Sequence, residues 1–286
     1  MNFGGIEESF ASWEGAEFVV VPVPYDLTST YQPGSRRGPG AIIDASSNME
    51  LYDDELGQET YTVGIHTLPP VEVDARGPAE MTESVRRTIS EVAAAGKTPV
   101  MLGGEHSISF GAVQALKEYY PSLMVLQLDA HADLRDSYQR TPYSHASVGR
   151  RISEICPLVQ AGIRSFSPEE AQFMKTSAVR TYASDFIRTH ADWCDAICAN
   201  LKGDLYVTFD IDALDPSIMP ATGTPEPGGI LWHDALALLR EAAKRCRIRG
   251  FDLVELAPIP GMIAPDFLAA KLIYRMMGYF STKMAG

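Results

Sequence analysis

The chain has 286 residues, 45% hydrophobic and 21% charged, which excludes a disordered polymer and leaves ample apolar material for a buried core. Its formal net charge of −13 argues against a nucleic-acid partner and suits a cationic small molecule, although acidic surfaces also serve solubility alone. No apolar stretch approaches the ~18 residues of a membrane span. Residues 1–15 carry Glu7, Glu8 and Glu14 and lack a basic start before an apolar run, so they do not read as a secretory signal. Cys156, Cys194, Cys198 and Cys246 form no Cys-x-x-Cys pair, as expected of reduced thiols in a cytoplasmic protein. Cys194 and Cys198, one helical turn apart, read as packing thiols before they read as a metal or redox pair.

In chain order, the first apolar run predicts a strand over 17–23. A helix follows over 78–95, where Met81, Val85, Ile89 and Val92 recur at helical spacing, with Pro78 in the first turn and Gly96 at the stop. Further strands are expected over 98–102, 123–129, 158–163, 179–182 and 205–210. A second clear helix over 232–246 aligns Trp232, Ala235, Leu236, Leu239 and Ala243 on one stripe, and a last strand is expected over 248–256. Neither a low-complexity linker nor an internal repeat interrupts this order, so one domain over 1–286 is expected. Several strands are apolar on both faces, as a parallel sheet covered by helices on each side demands. Repeated strand, helix, strand implies right-handed crossovers in a doubly wound α/β fold, whose ligands gather at the C-terminal strand ends.

Those ends are acidic. The run 123–128 delivers Asp129-Ala130-His131-Ala132-Asp133, and strand alternation puts its three polar residues on one side. The run 205–209 closes with Asp210-Ile211-Asp212, then Asp215-Pro216, while 98–102 finishes in Gly103-Gly104-Glu105-His106, whose glycines allow a tight turn. One aspartate at a strand end is an ordinary cap or turn residue, but five call for another account. If the sheet brings them together, their repulsion at low dielectric forces several to bind protons or to share a cation. Oxygen ligands with two imidazoles suit Mn²⁺ better than a thiolate site would.

Gly103-Gly104-Glu105-His106-Ser107, Asp129-Ala130-His131-Ala132-Asp133 and Phe209-Asp210-Ile211-Asp212-Ala213-Leu214-Asp215-Pro216 resemble the three metal-binding motifs of the ureohydrolases, the arginase and agmatinase family. The likeness extends from Pro33-Gly34-Ser35-Arg36-Arg37-Gly38-Pro39, through Thr222-Gly223-Thr224-Pro225-Glu226-Pro227-Gly228-Gly229, to Asp252-Leu253-Val254-Glu255-Leu256. It implies a three-layer α/β/α sandwich with a central, mostly parallel sheet, two Mn²⁺ ions, and a homo-oligomer of trimers or hexamers. It also implies that His106, Asp129, Asp133 and Asp210 hold one ion, and that Asp129, His131, Asp210 and Asp212 hold the other.

The implied reaction is hydrolysis of a guanidino C–N bond. A guanidinium carbon is a poor electrophile and neutral water a poor nucleophile; two ions sharing a water lower its pKa from 15.7 toward about 7, and the leaving nitrogen must then receive a proton. His145, in Tyr143-Ser144-His145-Ala146-Ser147, aligns with the family's catalytic histidine and is the expected proton carrier, its ordinary pKa lying near working pH. Without that alignment a lone histidine reads as a surface or satisfied core residue, as His66, His190 and His233 do here. Glu255 matches the family's guanidinium-binding glutamate and can accept two parallel hydrogen bonds; the bland alternative is a surface salt bridge.

Arginases carry an asparagine two residues after the last aspartate of the second motif, where this chain has Arg135. Asp133-Leu134-Arg135-Asp136-Ser137-Tyr138 and Ser144-His145-Ala146 look instead like agmatinase, so agmatine, giving urea and putrescine, is the first expectation. Aminopropylagmatine is equally open, and guanidinobutyrate and arginine are further alternatives. Agmatine's amine end calls for an acidic or carbonyl-lined pocket. Arg135 is expected to pair with Asp136 or, alternatively, with a substrate carboxylate. Two rivals lie outside this class: a related one-zinc deacetylase, which would want a His-His pair absent here, and a non-catalytic binding subunit, against which six intact ligands argue.

Overall fold

Strand β1 (Phe18–Val23) is buried along its whole length, and its alternate residues serve two different cores. Phe18 and Val20 join one apolar cluster, Val19, Val21 and Val23 another, so a layer must cover each face. The computed structural model describes residues 2–283 and has nine further strands: β2 (Tyr52–Asp53), β3 (Gln58–Glu59), β4 (Ile65–Thr67), β5 (Thr98–Gly103), β6 (Met124–Leu128), β7 (Leu158–Ile163), β8 (Arg180–Ala183), β9 (Gly203–Asp210) and β10 (Cys246–Val254). Eight of the ten form one sheet in the order β4-β1-β5-β10-β9-β6-β7-β8, with every neighbouring pair parallel. Strands β2 and β3 form a separate short antiparallel pair. Residues 1 and 284–286, at the ends of the expected single domain, lie outside the described residues.

The helices are α1 (Glu8–Ala11), α2 (Gly38–Ser46), α3 (Pro78–Ala94), α4 (Ser109–Tyr119), α5 (Val148–Ile155), α6 (Pro168–Thr176), α7 (Ser184–Thr189), α8 (Trp193–Cys198), α9 (Trp232–Arg245) and α10 (Ala264–Phe280). Buried residues of α2, α8, α9 and α10 fill the first cluster, those of α3, α4 and α5 the second. The result is the expected three-layer α/β/α sandwich. All seven expected strands are present. The edge strand β4 escaped prediction because it is three residues long and only Ile65 is fully buried, too little for a periodic signal. Helix α9 stops at Arg245, and Cys246 starts β10 with no intervening loop.

The topology decides where chemistry collects. After β5 the chain skips to β6, and β9 and β10 later return to fill the gap between them. Four neighbours, β5, β10, β9 and β6, thereby bring loops distant in sequence to one C-terminal edge, at the point where the strand order reverses.

Candidate active site

Each of the four central strands delivers site residues at its C-terminal end. Gly103 ends β5 and Gly104 leads on toward His106; a Cβ on Gly104 would lie 1.9 Å from the Tyr25 carbonyl oxygen, so only glycine lets the two backbones approach. The Gly104 carbonyl accepts the Glu255 N–H at 2.7 Å, tying the β10 exit to the His106 turn. Asp129 follows β6 directly. Strand alternation accounts for Asp129 and His131, but Asp133 is brought back by a left-handed turn, with φ 53°, rather than by extended backbone. Glu255 likewise has φ 64°. Such strain in non-glycine residues costs of order 1–3 kcal/mol and collects at functional sites.

All six expected ligands converge. His106 Nδ1 lies 3.1 Å from Asp129 Oδ2, 3.3 Å from Asp133 Oδ2 and 3.3 Å from Asp210 Oδ2. His131 Nδ1 lies 3.0 Å from Asp212 Oδ2 and 3.7 Å from Asp129 Oδ1. The groups His106/Asp129/Asp210 and Asp129/His131/Asp212 each bring their ligand atoms close enough to hold one cation, and Asp129 belongs to both. Its two oxygens face different histidines. Asp215, the fifth aspartate of the acidic ends, does not join them: it turns outward to accept the N–H groups of Ser217, Gly228 and Gly229 at 2.9–3.0 Å, which holds its carboxyl down at about 2.

The donor set fits a cation. His106 Nε2 is 2.8 Å from the Thr208 hydroxyl, which gives its only proton to Asp252 Oδ1 at 2.7 Å. Thr208 therefore accepts from Nε2–H, and Nδ1 is left as a buried nitrogen with no hydrogen-bond partner, aimed at three carboxylates. Burial disfavours charge on this ring, yet Asp129, Asp133 and Asp210 outweigh it and raise the His106 pKa well above the usual value. Burial, with repulsion from Asp212, raises Asp129 and, more strongly, Asp210; burial and Asp129 lift Asp133 to about 7. Protons held in this way are released when a cation binds.

Sequence reasoning missed the support beneath these ligands. Asp252, Thr208, Gln127, Gln160 and Thr181 stand opposite one another in register across β10, β9, β6, β7 and β8, a polar row crossing strands otherwise read as apolar. Gln127 Nε2 donates to Asp129 Oδ2 at 2.7 Å, Gln160 Nε2 to Gln127 Oε1 at 3.0 Å, and Thr181 to Gln160 Oε1 at 3.0 Å. A buried Thr or Gln inside an apolar run was the available signal, since such groups are retained where they are hydrogen-bonded.

His145 and Glu255 face the same chamber. A hollow of about 30 Å³ is lined by His131, Asp133, His145, Asp210, Asp212 and Glu255, among others, roughly one water's share of liquid volume. A second hollow of about 290 Å³ shares His131, Asp133, His145, Thr30 and Thr224 with it and adds Arg135, Tyr138, Phe166 and Glu170. A larger one, about 620 Å³ beside α3, contains none of the strand-end residues. Glu255 is half-buried; burial and then Glu105 raise its carboxyl well above the usual range, a state that an arriving cation reverses. The Thr28 hydroxyl meets His145 Nδ1 at 3.1 Å and also accepts the His145 backbone N–H at 3.1 Å, which leaves Nε2 as the nitrogen available to the chamber. Arg135 does not pair with Asp136. Its Nε lies 3.8 Å from Glu170 Oε2, and Asp136 pairs with Arg151.

The His145 pKa falls from 6.5 to about 4, through burial first and then His131 and His106. Its ordinary value therefore does not describe it: at neutral pH the ring is uncharged, ready to accept a proton. The unfolded chain takes up a proton near 6.5 that the folded one refuses, so this contribution to stability is complete above 6.5 and is lost as pH falls toward 4. In urea unfolding of metal-free protein at pH 7 and pH 5, His145→Asn is expected to lose less stability than wild type over that interval. Equal losses would contradict the assignment.

The family model of the arginase family matches residues 16–278. The chain is 39% identical over 272 residues to the N(1)-aminopropylagmatine ureohydrolase of Thermus thermophilus, covering 95% of this chain and 92% of that protein. With the protein of the same name from Synechocystis sp. it shares 35% identity over 281 residues, 96% of this chain and 92% of the other. The crystal structure of agmatine ureohydrolase of Thermoplasma volcanium superimposes with a TM-score of 0.87 at 32% identity, over 94% of this chain and 91% of that one. The chain thus belongs to the arginase family, metal-dependent ureohydrolases that hydrolyse guanidino C–N bonds.

Proposed function

We propose that the chain releases urea from a guanidino polyamine, with N(1)-aminopropylagmatine the preferred substrate and agmatine the second. One observation carries the reaction class: two His/Asp groups that share Asp129 border one chamber with Glu255 and His145. His106, Asp129, Asp133 and Asp210 would hold one Mn²⁺, and Asp129, His131, Asp210 and Asp212 the other. When bound, the ion pair supplies the Lewis acidity that brings a water's pKa from 15.7 toward about 7.

The chain's own residues do the rest. Glu255 accepts hydrogen bonds from the guanidinium and orients its carbon. His145 Nε2 takes a proton from the attacking water and passes it to the leaving nitrogen; as the C–N bond breaks, the water's second proton leaves the new C–O group for the departing amine, so that guanidinium plus water becomes urea plus an alkylammonium. Thr28 keeps the imidazole turned toward the chamber.

The names of the two sequence relatives support the longer polyamine. So does the wide outer hollow: His131 and Ser165 line it, and the Glu226 carboxylate, 38% exposed, lies next to both, 3.9 Å from His131 and accepting the Ser165 hydroxyl at 2.9 Å, an anionic partner for an amine at the rim. Urea release by Mn²⁺-loaded protein should be compared across N(1)-aminopropylagmatine, agmatine, guanidinobutyrate and arginine. The expected order in kcat/KM is the order given, with about tenfold or more between a substrate that pairs Glu226 and one that leaves it unpaired. Arginine or guanidinobutyrate as best substrate would overturn the assignment. The same reading makes residues 1–286 one catalytic domain, placed in the cytoplasm as a trimer or hexamer. No helix among the described residues is long and apolar enough to cross a membrane.

A further inference from the structure

Arg164 leaves β7 with its guanidinium turned into the sheet edge, and the hydrogen bonds that it makes all end on main-chain carbonyls. Nη2 donates to Asp212 O at 2.7 Å and to Glu226 O at 2.8 Å, Nε to Pro227 O at 3.1 Å, and Nη1 to Gly162 O at 3.1 Å. No salt bridge to a carboxylate is found for it among the described residues. Its backbone N–H donates to Ala130 O at 2.8 Å, and the Ala130 N–H donates in turn to Asp212 Oδ1 at 3.1 Å. Ala130 lies between Asp129 and His131. One residue therefore grips both loops of the Asp129/His131/Asp212 group, and none of these bonds reaches His106 or Asp133.

We propose that Arg164 is a positioning residue for one cation of the pair: by clamping the Asp212 loop against the His131 loop it sets the affinity of that position alone. This rests on the reading of His131 and Asp212 as ligands. The direction of the effect separates a clamp from simple electrostatics. Removing a positive charge near a cation site strengthens cation binding by Coulomb's law, whereas removing a support of the ligands weakens it by about 10–100-fold.

The test is a titration of purified metal-free protein with Mn²⁺, reading free Mn²⁺ by electron paramagnetic resonance, for wild type, Arg164→Gln and Arg164→Lys. Far-ultraviolet circular dichroism reports folding, and Arg164→Lys keeps the charge if the glutamine variant does not fold. Wild type should bind two equivalents. The variants should bind one equivalent as wild type does and the second about 10–100-fold more weakly. Two equivalents of unchanged or higher affinity in a variant overturn the clamp, as does equal weakening of both in a folded variant. Fewer than two equivalents in wild type would instead remove the ligand reading, and the inference with it.

Discussion

Replacing Asp129 with alanine is expected to end urea release and to strip both metal equivalents. Asp129 belongs to both candidate ligand groups, with Oδ2 toward His106 and Oδ1 toward His131. Its carboxylate is fully buried and is held by Gln127 Nε2 and by the His131 backbone N–H at 2.6 Å. Alanine removes a ligand from each position and orphans those two donors. Asp210→Ala is expected to do the same, because that carboxylate faces His106 through Oδ2 while its Oδ1 accepts the Asp212 N–H at 2.9 Å and fixes the neighbouring ligand. A loss of about 10³-fold or more in kcat is expected for either, since without the ions a water's pKa returns toward 15.7. Activity assays and elemental analysis of the same preparations check this; near-normal turnover in either variant would mean that the ligands are wrongly assigned.

His145→Ala should behave differently, slowing kcat by about 10²–10⁴-fold while both metal equivalents stay bound. His145 belongs to neither ligand group; its Nδ1 and backbone N–H are both engaged by Thr28, and Tyr138 packs edge-on against its ring at 5.7 Å. Nothing in the metal clusters leans on it. The sign of its depressed pKa also matters: burial, the largest cause of the shift, disfavours a charged ring, so as a carrier it must acquire in each turnover the proton that it later gives away. Loss of metal from the alanine variant would show that His145 is a ligand and not a carrier.

The sandwich and the gathering of acids and histidines at the strand ends were legible because each rests on a strong local pattern, whereas the assignment of six of them to two ions came from the family resemblance alone. Buried parallel strands read as continuous apolar runs, and paired acids at their ends have no ordinary explanation in a low-dielectric setting. Less legible was anything set by pairing across strands. The row from Asp252 to Thr181 joins residues up to 125 positions apart, and in the linear chain each member is only a polar residue in an apolar segment. Arg164 and Thr28 escaped for a related reason: one acts through carbonyls and the other through a single hydroxyl, and neither group carries a sequence signature. Asp215 misled in the opposite direction, since an aspartate before Pro216 reads equally well as a ligand or as a turn residue, and only the N–H groups of Gly228 and Gly229 converging on it decide for the turn. The alternation argument failed at Asp133 because the extended backbone, still bridged at His131, gives way there to a left-handed residue with φ 53°.

Crystals of the Mn²⁺-loaded protein, measured near the manganese absorption edge, give the most direct test. Two anomalous peaks about 3.5–4 Å apart are expected, one beside His106 and Asp133, the other beside His131 and Asp212, with Asp129 and Asp210 next to both. A single peak, or peaks away from these side chains, would contradict the dinuclear centre on which the proposed chemistry stands.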